Sequence, residues 1–379
     1  AMAGYAVKVG SDFEAGMSEV AAISGATGDE LDALTAKAKE MGASTKFSAT
    51  ESAEALKYMA MAGWNTQSML DGLPGIMNLA AASGEELGAV SDIVTDALTA
   101  FGLKASDAGH FADVLAKASS SSNTNVSMMG ATFKYAAPLA GALGYSIEDC
   151  AQAIGLMANA GIKGEQAGTS FRAMLTRLAS PTDDVAAAMS QLGISLTDTQ
   201  GNMLPLSDVL GQLREGFAGL DEQQKASMAS TIAGQEAMSG LLAIVNAAPE
   251  DYEALAASIA DADGAAQSMA DTMQDNLQGQ VTILKSAVEG LGIEFYESIQ
   301  DPLKDVVKTG IGYIEELSSA FKEGGLDGLV ESLGSVFADA AAQVVKSAPK
   351  LVSAAVSAIK SFVSGLRGNT GQILDAAIE

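Results

Sequence analysis

Apolar residues along this chain recur mainly at spacings of three and four, with few sustained alternating runs, which is the period of amphipathic helices. Residues Tyr5 to Met41 read as one or two helices interrupted near Ser24–Gly28, with Asp29 as a cap before Glu30, Leu31 and Leu34. From Ser48 onward a unit of roughly 40 residues recurs. Each copy has an apolar helix, a Gly followed by a bulky apolar residue, and a second helix opened by polar residues. The junctions are Gly63–Trp64–Asn65, Gly102–Leu103–Lys104, Gly144–Tyr145–Ser146 and Gly193–Ile194–Ser195. Each predicts an αα-hairpin: Gly takes the left-handed conformation after the first helix, and the following Trp, Leu, Tyr or Ile folds back over its last turn. Ser48 with Glu51, and Ser146 with Asp149, supply N-terminal capping signals. Duplication and the chance likeness of hairpins of equal length both account for the shared pattern.

Beyond the hairpins the text changes. Ser119–Ser122 with Asn123–Asn125 reads as a flexible polar connector. Asp198–Thr199–Gln200–Gly201–Asn202 is turn chemistry flanked by Ile194, Leu196, Met203 and Leu204, which predicts a small β-hairpin. Pro205 then opens a helix with Leu206, Val209, Leu210, Leu213 and Phe217 on one face. Helices are expected over Glu222–Ala247 and Pro249–Ile259, and a longer one over Ala265–Ser298. In the last, Leu277, Val281, Leu284, Val288, Leu291 and Phe295 fall at spacings 4, 3, 4, 3, 4, a short heptad seam. That seam suits either a coiled-coil partner or packing onto the preceding globular part. Pro302, Gly324–Gly325 and Pro349 punctuate further helices at Leu303–Phe321, Leu326–Lys346 and Lys350–Leu366. The expected fold is all-α: a succession of helical hairpins followed by longer helices, with a minor β-hairpin. Four segments follow: an N-terminal helical segment (1–44), the hairpin core (45–220), an acidic helical region with the seam (221–300), and an amphipathic helical C-terminal region (301–379).

Composition supports helices over sheets, because Ala, Leu, Met, Glu and Lys recur while aromatics make up only 5%. The 40 glycines fit this reading once placed, since many sit between apolar-periodic segments. Net charge is −26, from 21 basic and 47 acidic side chains, which opposes binding nucleic acid through a broad electrostatic surface. The acid is uneven. Between Glu215 and Asp275 stand eleven carboxylates and one cation, Lys225, whereas Ala340–Leu374 holds Lys346, Lys350, Lys360 and Arg367 and no acid. Over Lys350–Leu366, Val352, Ala355, Ile359, Phe362 and Leu366 form one stripe opposite Lys and Ser. An ordinary packed helix face is the preferred reading, over a face for anionic membrane or a helical partner. No signal peptide and no apolar run of about 18 residues is visible. The beginning at Ala1–Met2–Ala3 and the ending at Ala377–Ile378–Glu379 suggest a piece of a longer protein.

Chemistry is sparse. His110 is the only histidine and Cys150 the only cysteine, so His-rich zinc sites, HExxH motifs and intrachain disulfides do not arise. A Cys150–His110 dyad is the one conceivable thiol nucleophile, but both positions look like helix-packing residues. The acid pairs Glu85–Glu86, Glu148–Asp149, Asp183–Asp184 and Glu315–Glu316 lack the aromatic platforms of a sugar cleft. Gly161–Ile162–Lys163–Gly164, followed by Gly168–Thr169–Ser170, lacks the order and preceding strand of a phosphate loop, so a helix-to-helix turn is expected. No calcium-loop pattern occurs. Met59, Met61, Met69, Met77, Met128, Met129 and Met157 lie in apolar helices as adaptable filler or as a surface that repacks. The reading is therefore a non-enzyme with no catalytic, cofactor or metal residue.

The wording of the hairpin core is more specific than its chemistry. FSATESAEALKYMAMAGW (Phe47–Trp64), LPGIMNLAAASGEELGAVSDIVTDALTAFGL (Leu73–Leu103) and the run from Ala108 to Thr182 closely resemble the core region of tail tape measure proteins of long-tailed bacteriophages and prophages. The likeness covers roughly Phe13 to Leu213 and weakens through Ile232–Val245 and Met269–Ile299. It implies a largely helical structural protein that lies in the lumen of a growing tail and fixes its length. It also implies exit through the tube at infection and assistance to genome passage. The partners implied are tail-tube subunits, a tail assembly chaperone and distal-tail proteins, with self-association and transient membrane contact besides, and no sequence-specific nucleic acid. The implied location is the virion tail lumen, and the host cytoplasm during assembly. The alternative is a helical envelope-active or translocation module.

Overall fold

The computed structural model describes the backbone of residues 2–368 and the side chains of residues 4–320, with a few beyond. Among the described residues sixteen α-helices follow one another: α1 Met2–Ser24, α2 Asp29–Ser44, α3 Ala49–Met61, α4 Thr66–Ser83, α5 Leu87–Phe101, α6 Ala108–Ser120, α7 Val126–Ala142, α8 Ile147–Asn159, α9 Gly164–Ala179, α10 Asp183–Leu192, α11 Leu206–Ala218, α12 Glu222–Ala233, α13 Met238–Val245, α14 Pro249–Ala260, α15 Ala265–Gln274 and α16 Leu277–Gly368. A 3-10 turn, Ala105–Asp107, leads into α6. Residues 16–284 form one compact unit, and residues 2–15 with 285–368 form another.

The larger unit is built from hairpins stacked in two rows. Along one row α3 packs on α5, α5 on α7 and α7 on α9; along the other α2 packs on α4, α4 on α6 and α6 on α8. From α3 onward alternate helices therefore touch more than successive ones, as in α-solenoids, where each helix pair covers the apolar face of the next. Glycines inside the helices permit the close approach. A β-carbon at Gly141 of α7 would stand 2.3 Å from the Ala100 carbonyl oxygen of α5, and one at Gly75 of α4 would stand 2.7 Å from the Gly109 nitrogen of α6.

The hairpin junctions fall where the sequence puts them. After α3, Trp64 N–H donates to the Met59 carbonyl at 3.1 Å and Gly63 N–H to Ala60 at 2.9 Å, with Gly63 at φ +82°. This double bond is the Schellman arrangement. It recurs at Gly102–Leu103, Gly144–Tyr145 and Gly193–Ile194, and also at Gly161–Ile162, where Ile162 N–H reaches Met157 at 2.9 Å. The Trp64 ring lies against Gly72 of the next helix, where a β-carbon would meet it at 2.3 Å. Ser48 and Glu51 form the reciprocal capping box, at 3.2 and 2.7 Å. The face expected after Pro205 is the buried one, with Leu206, Val209, Leu210, Leu213 and Phe217 all at most 1% exposed.

Several expectations need correction. Asp29 is the first residue of α2 and not its cap; Gly28, at φ +55°, precedes it. The Ser119–Asn125 connector is held at several points: Asn125 caps α7 through Met128 N–H at 2.8 Å, Asn123 N–H donates to Asn159 at 2.8 Å, and Ser121 contacts Ser258 at 2.6 Å. The Ile194–Leu204 hairpin shrinks to a single bridge, Thr197 with Met203. There Asp198 folds its carboxylate onto the N–H groups of Gln200 and Asn202, at 2.8 and 2.9 Å, satisfying the turn locally. The span 222–247 is two helices, because Gly234 at φ +87° cannot continue a right-handed helix. The span 265–298 is also two: Asn276 accepts from Gly279 N–H at 3.0 Å and so starts α16 anew.

The heptad seam is not a buried one. Leu277, Val281, Leu284 and Val288 are 82, 40, 62 and 45% exposed, and Ile293, Tyr296 and Ile299 are buried instead. In the smaller unit this stripe packs on the start of α1: a β-carbon at Gly10 would overlap Tyr296, and one at Gly292 would stand 2.7 Å from Val9. Tyr296 donates to Glu14 at 2.6 Å, and Lys304 pairs with the same carboxylate.

Helical hydrogen bonding persists through Pro302, Gly324–Gly325 and Pro349, as it does through Pro74 in α4 and Pro138 in α7; an internal proline removes one bond and bends the helix without ending it. The side chains of the Lys350–Leu366 stripe lie outside the described residues.

Candidate functional site

The Cys150–His110 dyad does not form. Cys150 is fully buried in α8, and burial, reinforced by the charges of Asp149 and Glu148, pushes its thiol far above the ordinary range, so the nucleophilic thiolate is suppressed. Both nitrogens of the His110 imidazole are engaged elsewhere: Nε2 with Glu148 Oε1 of α8 at 2.5 Å, and Nδ1 with Asp263 Oδ1 of the α14–α15 loop at 3.3 Å. The hydrogen bond to Glu148 is the largest influence and raises the imidazole above its usual 6.5; partial burial works against it and Asp263 adds to the rise.

The acid pairs divide among structural tasks. Asp183 and Asp184 sit in the first turn of α10, where carboxylates complement the helix dipole. Glu86 stands at the N-cap position of α5, and Glu315 and Glu316 are exposed on α16. Asp149 does not complete a capping box with Ser146. Its own N–H donates to the Ser146 hydroxyl oxygen at 3.1 Å, and its carboxylate turns to the N–H and hydroxyl of Ser207 at 3.1 and 3.3 Å. Gly161–Ile162–Lys163–Gly164 is the turn into α9, and the Gly164 carbonyl accepts from Thr132 at 2.9 Å. Met59, Met69, Met77, Met129 and Met157 are core, while Met61 and Met128 are 62 and 39% exposed.

A set of remote caps went unread in the sequence. Asp113 of α6 accepts from Gly264 N–H and Ala266 N–H, both at 2.9 Å, and so caps α15 from another helix. Arg177 donates to the Thr231 and Ile232 carbonyls at the end of α12, at 3.0 and 3.1 Å, and Arg214 to the Ile244 carbonyl of α13 at 2.7 Å, with its guanidinium over Tyr252. Cations at helix C-termini and anions at N-termini satisfy orphan backbone groups and the dipole together. No local motif marks such residues, because each serves a helix distant in sequence.

What remains for interaction is surface. All eleven carboxylates between Glu215 and Asp275 are exposed, a solvated acidic face. A groove of about 650 Å³ runs between α2, α4 and α15, lined by Met41, Pro74, Met77, Asn78, Gln267 and Asp271 among others. In the smaller unit Val306, Val307, Ile311 and Ile314 are exposed on α16. Among the described residues no helix is long and apolar enough to cross a membrane, and no group of three or more His, Cys, Asp or Glu is arranged to hold a metal ion.

Residues 35–234, the body of the hairpin stack, match the model of the phage-related minor tail protein family. The chain is 40% identical over 319 residues to a protein named tape measure protein from Pneumococcus phage Dp-1, covering 84% of this chain and 27% of that one. It is 30% identical over 313 residues to a probable tape measure protein of Escherichia phage P2, covering 81% and 38%. A probable tape measure protein of Clostridium phage phiCD119 is 25% identical over 367 residues, covering 93% and 38%. The chain thus spans 27 to 38% of the length of these relatives. No solved structure matches it.

Proposed function

This chain belongs to the phage-related minor tail protein family, and we propose that it is part of a tape measure protein: a structural, non-catalytic component of a long phage tail. The observation that carries the reading is the family match over residues 35–234, the residues that build the two-row stack. In this reading the parent protein lies in the tail lumen, and tube subunits polymerise around it until it is covered, with a chaperone and distal-tail proteins as further partners. During assembly it is in the host cytoplasm. No residue is assigned a catalytic, cofactor or metal role.

The architecture divides that role. A helix advances about 1.5 Å per residue, but the stack folds each hairpin back on the last, so its residues contribute little length in this state. We assign the stack to assembly or ejection, and length-setting to continuous helix such as the start of α16. The exposed Val306, Val307, Ile311 and Ile314 favour a second reading, contact with the cell envelope, for which leakage of anionic vesicles is the check. The test of the main reading is protease protection. In purified virions the chain should resist protease until the tails are opened, and then be cut. Cleavage in intact virions, or absence of the chain from tails, would refute the luminal role.

A further inference from the structure

The contacts around His110 require its proton. Neutral imidazole has one N–H donor and one bare acceptor nitrogen, whereas imidazolium has two donors. Both His110 nitrogens face carboxylates, Glu148 at 2.5 Å and Asp263 at 3.3 Å. A neutral ring can serve one of them and must set a lone pair against the other. The contact that gives way is the longer one, to Asp263, which is 96% exposed.

Asp263 stands at the head of α15, which packs on α4 and α6 through small side chains. Its buried residues are only Ala266 and Ala270, and Met273 is 51% exposed. Gly264 precedes the helix and has no side chain to cap it, so Asp113 caps it from α6. To that packing α6 adds two side chains one turn apart, Asp113 on the backbone and His110 on Asp263. Carboxylates on the neighbouring elements have partners of their own: Asp71 of α4 with Gln67, Asp107 with Lys104 N–H, Asp149 with Ser207 and Asp271 of α15 with Gln267. The charges of Glu148 and Asp263 both act on the ring.

We propose that His110 and Asp113 form a proton-operated clasp that fastens the strap α15 across α4 and α6, closed when His110 is protonated and loosened when it is neutral. The direction follows from the sign of the linkage. A histidine raised above 6.5 in the folded chain contributes fully below that value, and its contribution disappears as pH rises through the folded value. Loosening the strap opens the groove at Pro74, Met77 and Asn78, so the stack gains an accessible face on α4. The clasp stands or falls independently of the tail reading.

The test uses the whole chain. Its single histidine makes the imidazole proton resonance assignable, and its titration midpoint should lie above 6.5. Hydrogen-exchange protection of residues 265–274 should fall about tenfold between about pH 6 and pH 9 with the same midpoint, while α7 and α9 keep theirs. His110→Gln should show low strap protection at every pH with no step, and Asp263→Asn should shrink the step while leaving Glu148 engaged. If His110→Gln fails to fold, the wild-type titration and Asp263→Asn decide. A midpoint at or below 6.5, strap protection that ignores pH, or an undiminished step in either variant overturns the proposal.

Discussion

Gly168 of α9 approaches the main chain of Thr132 in α7 so closely that a β-carbon there would stand 2.7 Å from the Thr132 carbonyl oxygen. Backbone cannot swing aside as a side chain can, so the two helices must separate to admit a methyl group. Gly168→Ala should destabilise the stack by about 1–3 kcal/mol, the usual range for overpacking. Gly211 supplies the control: nothing lies within 4 Å of its would-be β-carbon, and Gly211→Ala should be neutral or stabilising by up to about 1 kcal/mol. Thermal unfolding of both variants checks the pair, and equal melting points would contradict the close-packing account.

Gly144 tests the hairpin turn without any steric neighbour. It has φ +75° and open space where a β-carbon would go, so only backbone strain opposes a side chain. Gly144→Val should cost about 1 kcal/mol or more, and Gly144→Asn less, because Asn tolerates the left-handed region. A valine variant with an unchanged melting midpoint would remove the cap assignment.

Glu14 gives the smaller unit a pH dependence of opposite sign to the histidine clasp. Desolvation is the largest influence and would raise its carboxyl, but the hydrogen bonds and charge of Lys304 and Tyr296 outweigh it and hold the group below its usual 4.5. A depressed carboxylate stabilises above 4.5, and that stability is lost as pH falls through the lowered folded value. Exchange protection around Tyr296 should therefore drop on acidification below 4.5, and Glu14→Gln should abolish that drop. An identical acid response in the variant would assign it to another group.

Cys150 reports on the intactness of α8. Its side chain is fully buried and its thiol raised, so alkylation should be negligible in the native chain and rapid in denaturant. Ready labelling under native conditions would contradict the burial and reopen the question of thiol chemistry.

These tests also mark what was legible in the sequence. Turns were readable because Gly followed by an apolar residue encodes a local hydrogen-bond pattern, as at Gly63–Trp64 and Gly144–Tyr145. The face of α11 was readable because helical periodicity and burial coincide there. The Leu277–Val288 seam misled, since its periodicity describes the helix but not which stripe finds a partner; Ile293 and Tyr296 were chosen by Gly10 and Gly292, nearly three hundred residues apart in sequence. Asp113, Asp149, Arg177 and Arg214 stayed hidden because their partners are backbone groups of distant helices. His110 looked like packing for the same reason: its two carboxylate partners come from elements that only the fold brings together.

The most direct test of the structural role is tail length. Removing residues 277–290 in frame deletes two heptads at the start of α16, with the exposed Leu277, Val281, Leu284 and Val288, and leaves the buried Ile293, Tyr296 and Ile299 in place. In a phage carrying that deletion in the parent gene, electron micrographs should show tails shorter by about 21 Å, the rise of the helix removed. Infectious particles with tails of parental length would contradict the ruler role of this segment.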